Sequence, residues 1–254
     1  MKLSVVLAVF NEEDVLGKCL ESVKDLADEI VIVDGGSTDK TVEIAKRFGA
    51  KVFVMDNPPI FHINKQRAVD RASGDWIFQL DADEVVPEAL KKEIDQIRND
   101  GEYNGYYVPR KNYFLWYWMR KGGQYPDYVV RLFKRGKGNF PQKSVHEQIV
   151  IDGTIGYLKI PLEHRPYKIF AEYWQKAHTY SMLRAREMAK ENVEVAPALL
   201  LEYYLLRPVK TFLNLYIRHK GFMDGIFGFL FALFSAYQEP LALKKYIQYG
   251  KNLN

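Results

Sequence analysis

Asp81-Ala82-Asp83-Glu84 places three carboxylates within four residues, directly after the apolar run Trp76–Leu80. Two aspartates one residue apart on a turn can reach one hard cation from the same side. Mg²⁺ and Mn²⁺ prefer such oxygen ligands and commonly grip a substrate phosphate at the same time. The competing reading of an isolated pair of this kind is a solvated acidic loop. Two further polar groups come after apolar runs in the same manner, Asn11-Glu12 after Leu3–Val9 and Asp34 after Ile30–Val33.

The elements that must position these groups are strands and helices in alternation. Leu3–Val9, Ile30–Val33, Lys51–Met55 and Trp76–Leu80 read as strands, the first a β-branched run suited to burial on both faces. Amphipathic spacing predicts helices over Val15–Val23, Thr41–Phe48 and His62–Ala72, with Ser37 or Thr38 capping the second. Short alternating segments of this kind build a parallel sheet with right-handed crossovers. Asn11, Glu12, Asp34, Asp81 and Asp83 then all lie just past carboxyl ends of strands and share one rim, where α/β sheets bind ligands. Random acidic loops would fall on both rims, so a nucleotide site is the favoured reading. No G-x-G-x-x-G and no G-x-x-x-x-G-K-[ST] is present, so phosphate would be held by metal and side chains and not by a glycine cradle.

Composition narrows the classes. With 48% hydrophobic residues, a chain of 254 has ample material for one large α/β domain and an appendage. The single cysteine, Cys19, excludes an internal disulfide and fits a reducing compartment. Met1–Val6 lacks the basic leader and cleavage site of a signal peptide. Residues 1–100 carry 13 Lys and Arg against 20 Asp and Glu; residues 101–254 carry 23 against 12. An acidic front suits a cation-assisted site. A basic back favours an anionic partner such as a phosphorylated substrate or a membrane surface. No nucleic-acid module is recognisable, so nucleic acid is not expected as a partner.

Val6-Leu7-Ala8-Val9-Phe10-Asn11-Glu12, Val31-Ile32-Val33-Asp34-Gly35-Gly36-Ser37-Thr38-Asp39 and Leu80-Asp81-Ala82-Asp83-Glu84, in this order, resemble family 2 glycosyltransferases of the GT-A fold. The resemblance implies an inverting transfer from a nucleotide-activated sugar, most often a UDP-sugar, with Mn²⁺ or Mg²⁺. It implies donor contacts from Ala8, Val9, Asn11, Glu12 and Asp34 to base and ribose, with Asp81, Ala82 and Asp83 near ribose and metal. Lys65 stands where the family often has a basic residue; Gln66 occupies the slot usually held by Asn. An exposed helix charge is the other reading of Lys65. The resemblance also points to Glu147, in Ser144-Val145-His146-Glu147, as the carboxylate that takes the acceptor's proton, with Asp127 in reserve. His146 and Arg131 would reach phosphate or acceptor, or serve structural roles, and His164 would complete the metal shell with Asp81 and Asp83.

The remaining chain is less periodic. A helix is expected from Pro87, strands at Gly105–Val108 and Val129–Phe133, and a turn at Gly136–Asn139 that pairs residues 130–134 with the segment after Asn139. Tyr113–Tyr125 reads either as a mobile aromatic loop or as core. From Ile169 onward the pattern is helical, with Pro197 and Pro208 as helix starts. The apolar run Ile226–Phe234 is much shorter than the ~20 residues of a spanning helix. A basic, aromatic-rich hairpin in the bilayer interface, or a pair of packed helices, fits the tail. Lys121–Asp127, Arg131–Phe133, His146-Glu147 and this tail are similar to bacterial glucosyltransferases of the lipopolysaccharide inner core. That implies UDP-glucose as donor, a lipid-linked glycan as acceptor, and a cytoplasmic enzyme peripheral on the inner-membrane surface. The expected division is a GT-A domain over 1–165 and a helical extension over 166–254. The alternatives are a sugar-phosphate nucleotidylyltransferase, whose glycine-rich basic N-terminal turn is missing at Phe10–Glu13, and a non-catalytic membrane scaffold.

Overall fold

The computed structural model describes residues 1–141 and 148–249. The chain divides into two compact units, one of Met1–Arg110 with Asp127–His164 and one of Lys111–Pro126 with Arg165–Asn254.

In the first unit, apolar strands alternate with short helices: β1 (Leu3–Val9), α1 (Leu16–Glu21), β2 (Glu29–Asp34), α2 (Thr41–Arg47), β3 (Lys51–Val54), α3 (His62–Asp70) and β4 (Trp76–Leu80). Then come β5 (Glu84–Val85), α4 (Glu88–Asp100) and β6 (Gly105–Phe114), whose last residues belong with β7 (Tyr117–Trp118) to the second unit, and, again in the first, β8 (Asp127–Lys134), β9 (Gly138–Asn139), β10 (Val150–Ile151), β11 (Ile155–Tyr157) and β12 (Leu162–His164). The main sheet runs β3-β2-β1-β4-β8-β6-β12-β5. Its first four strands are parallel, and β8 turns it antiparallel by pairing with both β4 and β6. Successive residues of a strand face opposite sides, and the two sides of β1 are both dry. Val5, Leu7 and Val9 pack with Leu16, Leu20, Ala45, Leu90 and Ile94, and Val6 packs with Val31, Ala68, Val69 and Ile77.

Three local expectations change over residues 1–164. β8 has no free edge for residues beyond Asn139, because β4 and β6 occupy both; Gly138–Asn139 pairs instead with β10. Neither Ser37 nor Thr38 caps α2: Asp39 Oδ1 accepts from Thr41 N at 2.9 Å, and the Ser37 hydroxyl is engaged with Asp34. Strand β6 continues through Phe114 into a hairpin with β7, so the start of the aromatic stretch is strand and not loop.

In the second unit, Phe114 and Met119 are buried with Tyr173 and Ala177, and Tyr117 stacks on Phe227 at 4.6 Å. Its helices are α5 (Phe170–Lys190), α6 (Pro197–Leu201), α7 (Arg207–Leu213) and α8 (Gly225–Tyr249). Two π-helical segments, Glu202–Leu206 and Asn214–Arg218, extend α6 and α7 into one helical arm. Pro208 therefore sits inside a continuous helical run and does not open a new helix. Buried Asp224 accepts from Lys121 N at 2.8 Å and Arg120 N at 3.2 Å, fixing the turn after β7. The helical stretch Gly221–Tyr249 is 29 residues long and contains an 18-residue window of mean hydropathy 1.4, enough by length and composition to cross a bilayer. The short apolar run within it concealed that length.

At the rim opposite the strands' carboxyl ends, Glu29 ties four segments together. It accepts from Ser4 Oγ at 2.5 Å, Lys51 Nζ at 2.6 Å, Ser73 N at 2.8 Å and Ser73 Oγ at 3.0 Å. Burial works to raise the Glu29 carboxyl, but these donors override it and hold it at about 2. A carboxyl depressed on folding stabilises fully above its unfolded value, and that stability is lost as pH falls toward the folded value. Glu29→Gln is therefore expected to lower unfolding free energy at neutral pH by roughly 2 kcal/mol, part of the Lys51 share being screened by solvent. The gap to the unsubstituted protein should close between about pH 4.5 and 2 in denaturant titrations.

Candidate active site

β1 lies between β2 and β4 in parallel register, Val9 opposite Asp34 and Leu7 opposite Leu80. The loops that leave these three strands therefore meet at one rim, which brings Asn11, Asp34 and the Asp81–Glu84 turn together. Asn11 adopts a left-handed backbone, φ 54, a conformation that asparagine tolerates better than most residues. Its N–H donates to Ser37 Oγ at 2.8 Å, and its Oδ1 accepts from Thr38 N at 2.9 Å. Asp34 is fully buried; its Oδ1 accepts from Gly36 N at 3.1 Å and Ser37 N at 2.9 Å, and its Oδ2 accepts from the Ser37 hydroxyl. The two loops are thus knitted to each other. Glu12 N donates to Thr41 Oγ1 at 2.8 Å, while Ala8 is half-buried and Val9 and Ala82 are buried.

The acidic turn splits its carboxylates between two environments. Asp81 Oδ1 meets Lys65 Nζ at 2.5 Å, and its Oδ2 meets Arg131 Nη2 at 2.6 Å. Burial alone would raise the Asp81 carboxyl; the charges of Arg131 and then Lys65 prevail and hold it well below the usual range. Lys65 is not the exposed helix charge that its sequence allowed: only 11% of its side chain is accessible, and it lies over the Phe61 ring at 5.0 Å. Glu84 is fully buried, accepts from Arg131 Nη2 at 2.6 Å, and takes the Asp81 N–H at 2.9 Å. Gln79 also accepts from Arg131. Burial would lower the Arg131 guanidinium, but Asp81 and Glu84 keep it firmly charged.

Asp83 faces a different partner. β12 pairs antiparallel with β5, His164 opposite Glu84, and this delivers His164 Nε2 to 3.6 Å from Asp83 Oδ2. Both side chains keep partial access, 17% for His164 and 18% for Asp83. Two ligands of one ion, each bonded at about 2.0–2.2 Å, sit from about 3 Å apart at a right angle to about 4 Å apart in line, so this pair fits a shared divalent cation. Among the described residues no group of three or more His, Cys, Asp and Glu is arranged to hold an ion. A cation here would need phosphate oxygens or water to complete its shell, the usual arrangement for Mg²⁺ at a nucleotide.

Asp127 opens β8 opposite Arg110, whose Nε and Nη2 donate to Asp127 Oδ2 at 2.9 and 2.6 Å. Arg110 Nη1 also lies 3.8 Å from Glu84 Oε1, linking Asp127 to the buried network. His146 and Glu147 lie outside the described residues. Arg110 and Gln79 were not singled out by the sequence, and Glu84 was counted without a role. The signal available was Arg131, a cation within the apolar strand Val129–Phe133, which must find buried acids. Cys19, buried beneath the turn, donates to Asp81 O at 3.5 Å. Burial, then Glu84, Asp83 and Asp81, push its thiol up, so it is an inert core residue.

The sequence profile described as Glycosyl transferase family 2 matches residues 4–165. The chain is 33% identical to the lipopolysaccharide core biosynthesis glycosyltransferase LpsC of Rhizobium meliloti (strain 1021), over 98% of this chain and 93% of that protein. It is 27% identical to an uncharacterized glycosyltransferase of Rickettsia typhi, over 96% of this chain and 86% of the relative. Among solved structures, S. aureus TarS 1-349 in complex with UDP-GlcNAc superposes with TM-score 0.53 at 16% identity, covering 98% of this chain and 92% of that one. The shared architecture is the GT-A fold.

Arg131→Met should be strongly destabilising, by about 3–5 kcal/mol, because it strands the buried Glu84 and half of the Asp81 pairing. Arg131→Lys should recover little, since a point-charge ammonium cannot span Gln79, Asp81 and Glu84 as a guanidinium does. Urea unfolding of the two variants against the unsubstituted chain checks both expectations.

Proposed function

The chain belongs to glycosyltransferase family 2, and on that premise we propose an inverting, divalent-metal-dependent enzyme. It would move a hexose, glucose in the first instance, from a UDP-sugar to a lipid-linked glycan of lipopolysaccharide-core type, at the cytoplasmic face of the membrane. The acceptor class is taken from the name of the Rhizobium relative, which resembles this chain over nearly its whole length. The observation that carries the catalytic part is the Asp83–His164 pair, 3.6 Å apart on the rim that also holds Asn11, Asp34 and Asp81.

Asp83 and His164 are the residues that would hold Mn²⁺ or Mg²⁺. When bound, such an ion supplies positive charge against the diphosphate leaving group. Asp81, fixed by Lys65 and Arg131, keeps the turn rigid and presents its carboxylate to the ribose; the Asn11 and Asp34 loops border the base. In the reaction an acceptor hydroxyl attacks the anomeric carbon from the side opposite the nucleotide. The new carbon–oxygen bond forms as the bond to the β-phosphate oxygen breaks, the hydroxyl proton passes to a carboxylate, and configuration inverts. Glu147 is the first choice for that carboxylate, with Asp127 in reserve. The diphosphate leaves with the electron pair of the broken bond, so no oxidant or reductant is involved.

Asp83→Ala should abolish metal-dependent UDP-sugar hydrolysis and transfer while the protein stays folded. His164→Ala should raise the Mn²⁺ concentration for half-maximal activity at least about tenfold. Glu147→Gln should retain donor binding and lose transfer; full turnover there moves the base to Asp127. A thermal-shift panel of nucleotide sugars with and without Mn²⁺ identifies the donor, because a ligand at a hundred times its Kd stabilises by about 2.7 kcal/mol. An active, metal-independent Asp83→Ala enzyme would overturn the proposal.

A further inference from the structure

The helical arm of residues 197–218 carries a row of aliphatic side chains that the second unit leaves uncovered. Leu201, Leu205, Val209, Leu213 and Ile217 recur at every fourth position and are 49–55% exposed. In an unbroken α-helix a four-residue step overshoots one turn, and such a row would wind around the axis. The wider π-helical segments at Glu202–Leu206 and Asn214–Arg218 offset that drift and keep the row on one side. At 1.5 Å per residue the row is about 24 Å long. The opposite side of the arm is where it packs: Phe212 and Tyr216 meet Phe229 edge-on at 5.7 and 5.8 Å, and Tyr203 is buried with Met188 and Leu243. The exposed side is therefore surplus to the folding of this unit.

Charge selects the occupant. An apolar groove on this side is lined by Leu205, Leu206, Val209, Leu213, Asn214 and Ile217 together with Lys210 and Arg218, and no acid lines it. A second copy laid on the same face would bring cations against cations in a drying interface. An anionic bilayer offers what the face lacks: acyl chain for the aliphatics and phosphate for Lys210 and Arg218. Packing sets the orientation as well. α8 buries Gly228, Ala232, Ala236 and Leu243 within its own unit, beside the charge-rich α5. Threading α8 through a membrane would strip it of that packing, whereas the arm can lie in the interface with every partner kept.

We infer that the outer face of the 197–218 arm is a membrane-docking surface that lies in the plane of an anionic bilayer. The aliphatic row enters the boundary between headgroups and acyl chains, and Lys210 and Arg218 rest on lipid phosphates. This deepens the membrane-facing part of the proposed function, and its test needs no turnover, so the two can fail separately.

The full chain is floated with vesicles of phosphatidylcholine, alone and with about a third phosphatidylglycerol. Binding is expected only to the anionic vesicles. Val209→Asp with Leu213→Asp should abolish it, and Lys210→Gln with Arg218→Gln should weaken it by tenfold or more, at about 1 kcal/mol for each cation. Circular-dichroism thermal melts should be unchanged in both variants, which reports that they fold. Should the aspartate pair fail to fold, the glutamine pair decides alone. Absence of binding, or binding that neither pair reduces, overturns the inference. A dimer in sedimentation velocity that the aspartate pair dissolves, with no vesicle binding, overturns it in favour of self-association.

Discussion

A guanidinium removed from water must be met by carboxylates, and that requirement at Arg131 organises the catalytic unit. It sits in the middle of the apolar stretch Val129–Phe133, so the charge is carried inside the sheet at the β4–β8 junction. There it contacts Gln79 on β4, Asp81 just beyond it and Glu84 on β5. Burying a charge without partners costs several kcal/mol, and the low local dielectric that creates this cost also strengthens each pairing. The consequence is geometric. Both ends of the Asp81–Glu84 turn are fastened to one planar group, so the intervening Asp83 is held at a fixed height above the sheet.

The same network explains how adjacent aspartates come to differ. Lys65, Arg110 and Arg131 stand against Asp81, Glu84 and Asp127, three cations to three carboxylates within hydrogen-bonded or ion-pair reach. The cluster is neutral in itself, and Asp83 is not among its members. Asp83 sits instead beside the imidazole of His164. Two residues of one short motif are set apart by their neighbours and not by their spacing: Asp81 is locked between Lys65 and Arg131, while Asp83 stands beside His164.

What the sequence revealed was mostly what is local. Val5/Val6 alternation, the polar residue at each strand end and the helix between consecutive strands are encoded within about thirty residues, and the parallel half was readable from them. The antiparallel half joins residues far apart in the chain: Arg110 meets Asp127 and Glu84, and His164 comes back to Asp83. No periodicity announces such pairings; the family resemblance pointed to His164 beside Asp83, and the oddity of Arg131 in an apolar strand hinted that acids would be found there. The Gly136–Asn139 turn misled for a related reason. A turn signal states that the chain reverses, and the edges already occupied on β8 decide what it pairs with.

The basic second half of the chain also looks different once its charges are placed. Arg207 pairs with Glu202 and lies over the Tyr203 ring at 4.1 Å, Arg184 pairs with Glu187, and Lys245 is buried, donating to His178 O at 2.5 Å and Ser181 Oγ at 3.0 Å. Burial pulls the Lys245 ammonium down, so it adds little to any outward field. A nucleic-acid surface needs a stripe of outward cations spaced along a backbone, and these internal uses thin that stripe. Lys210 and Arg218 do point outward, and they do so among aliphatic side chains. A cation at the edge of an apolar strip suits a partner that is charged at its surface and oily just beneath it, and a phospholipid leaflet has that layering.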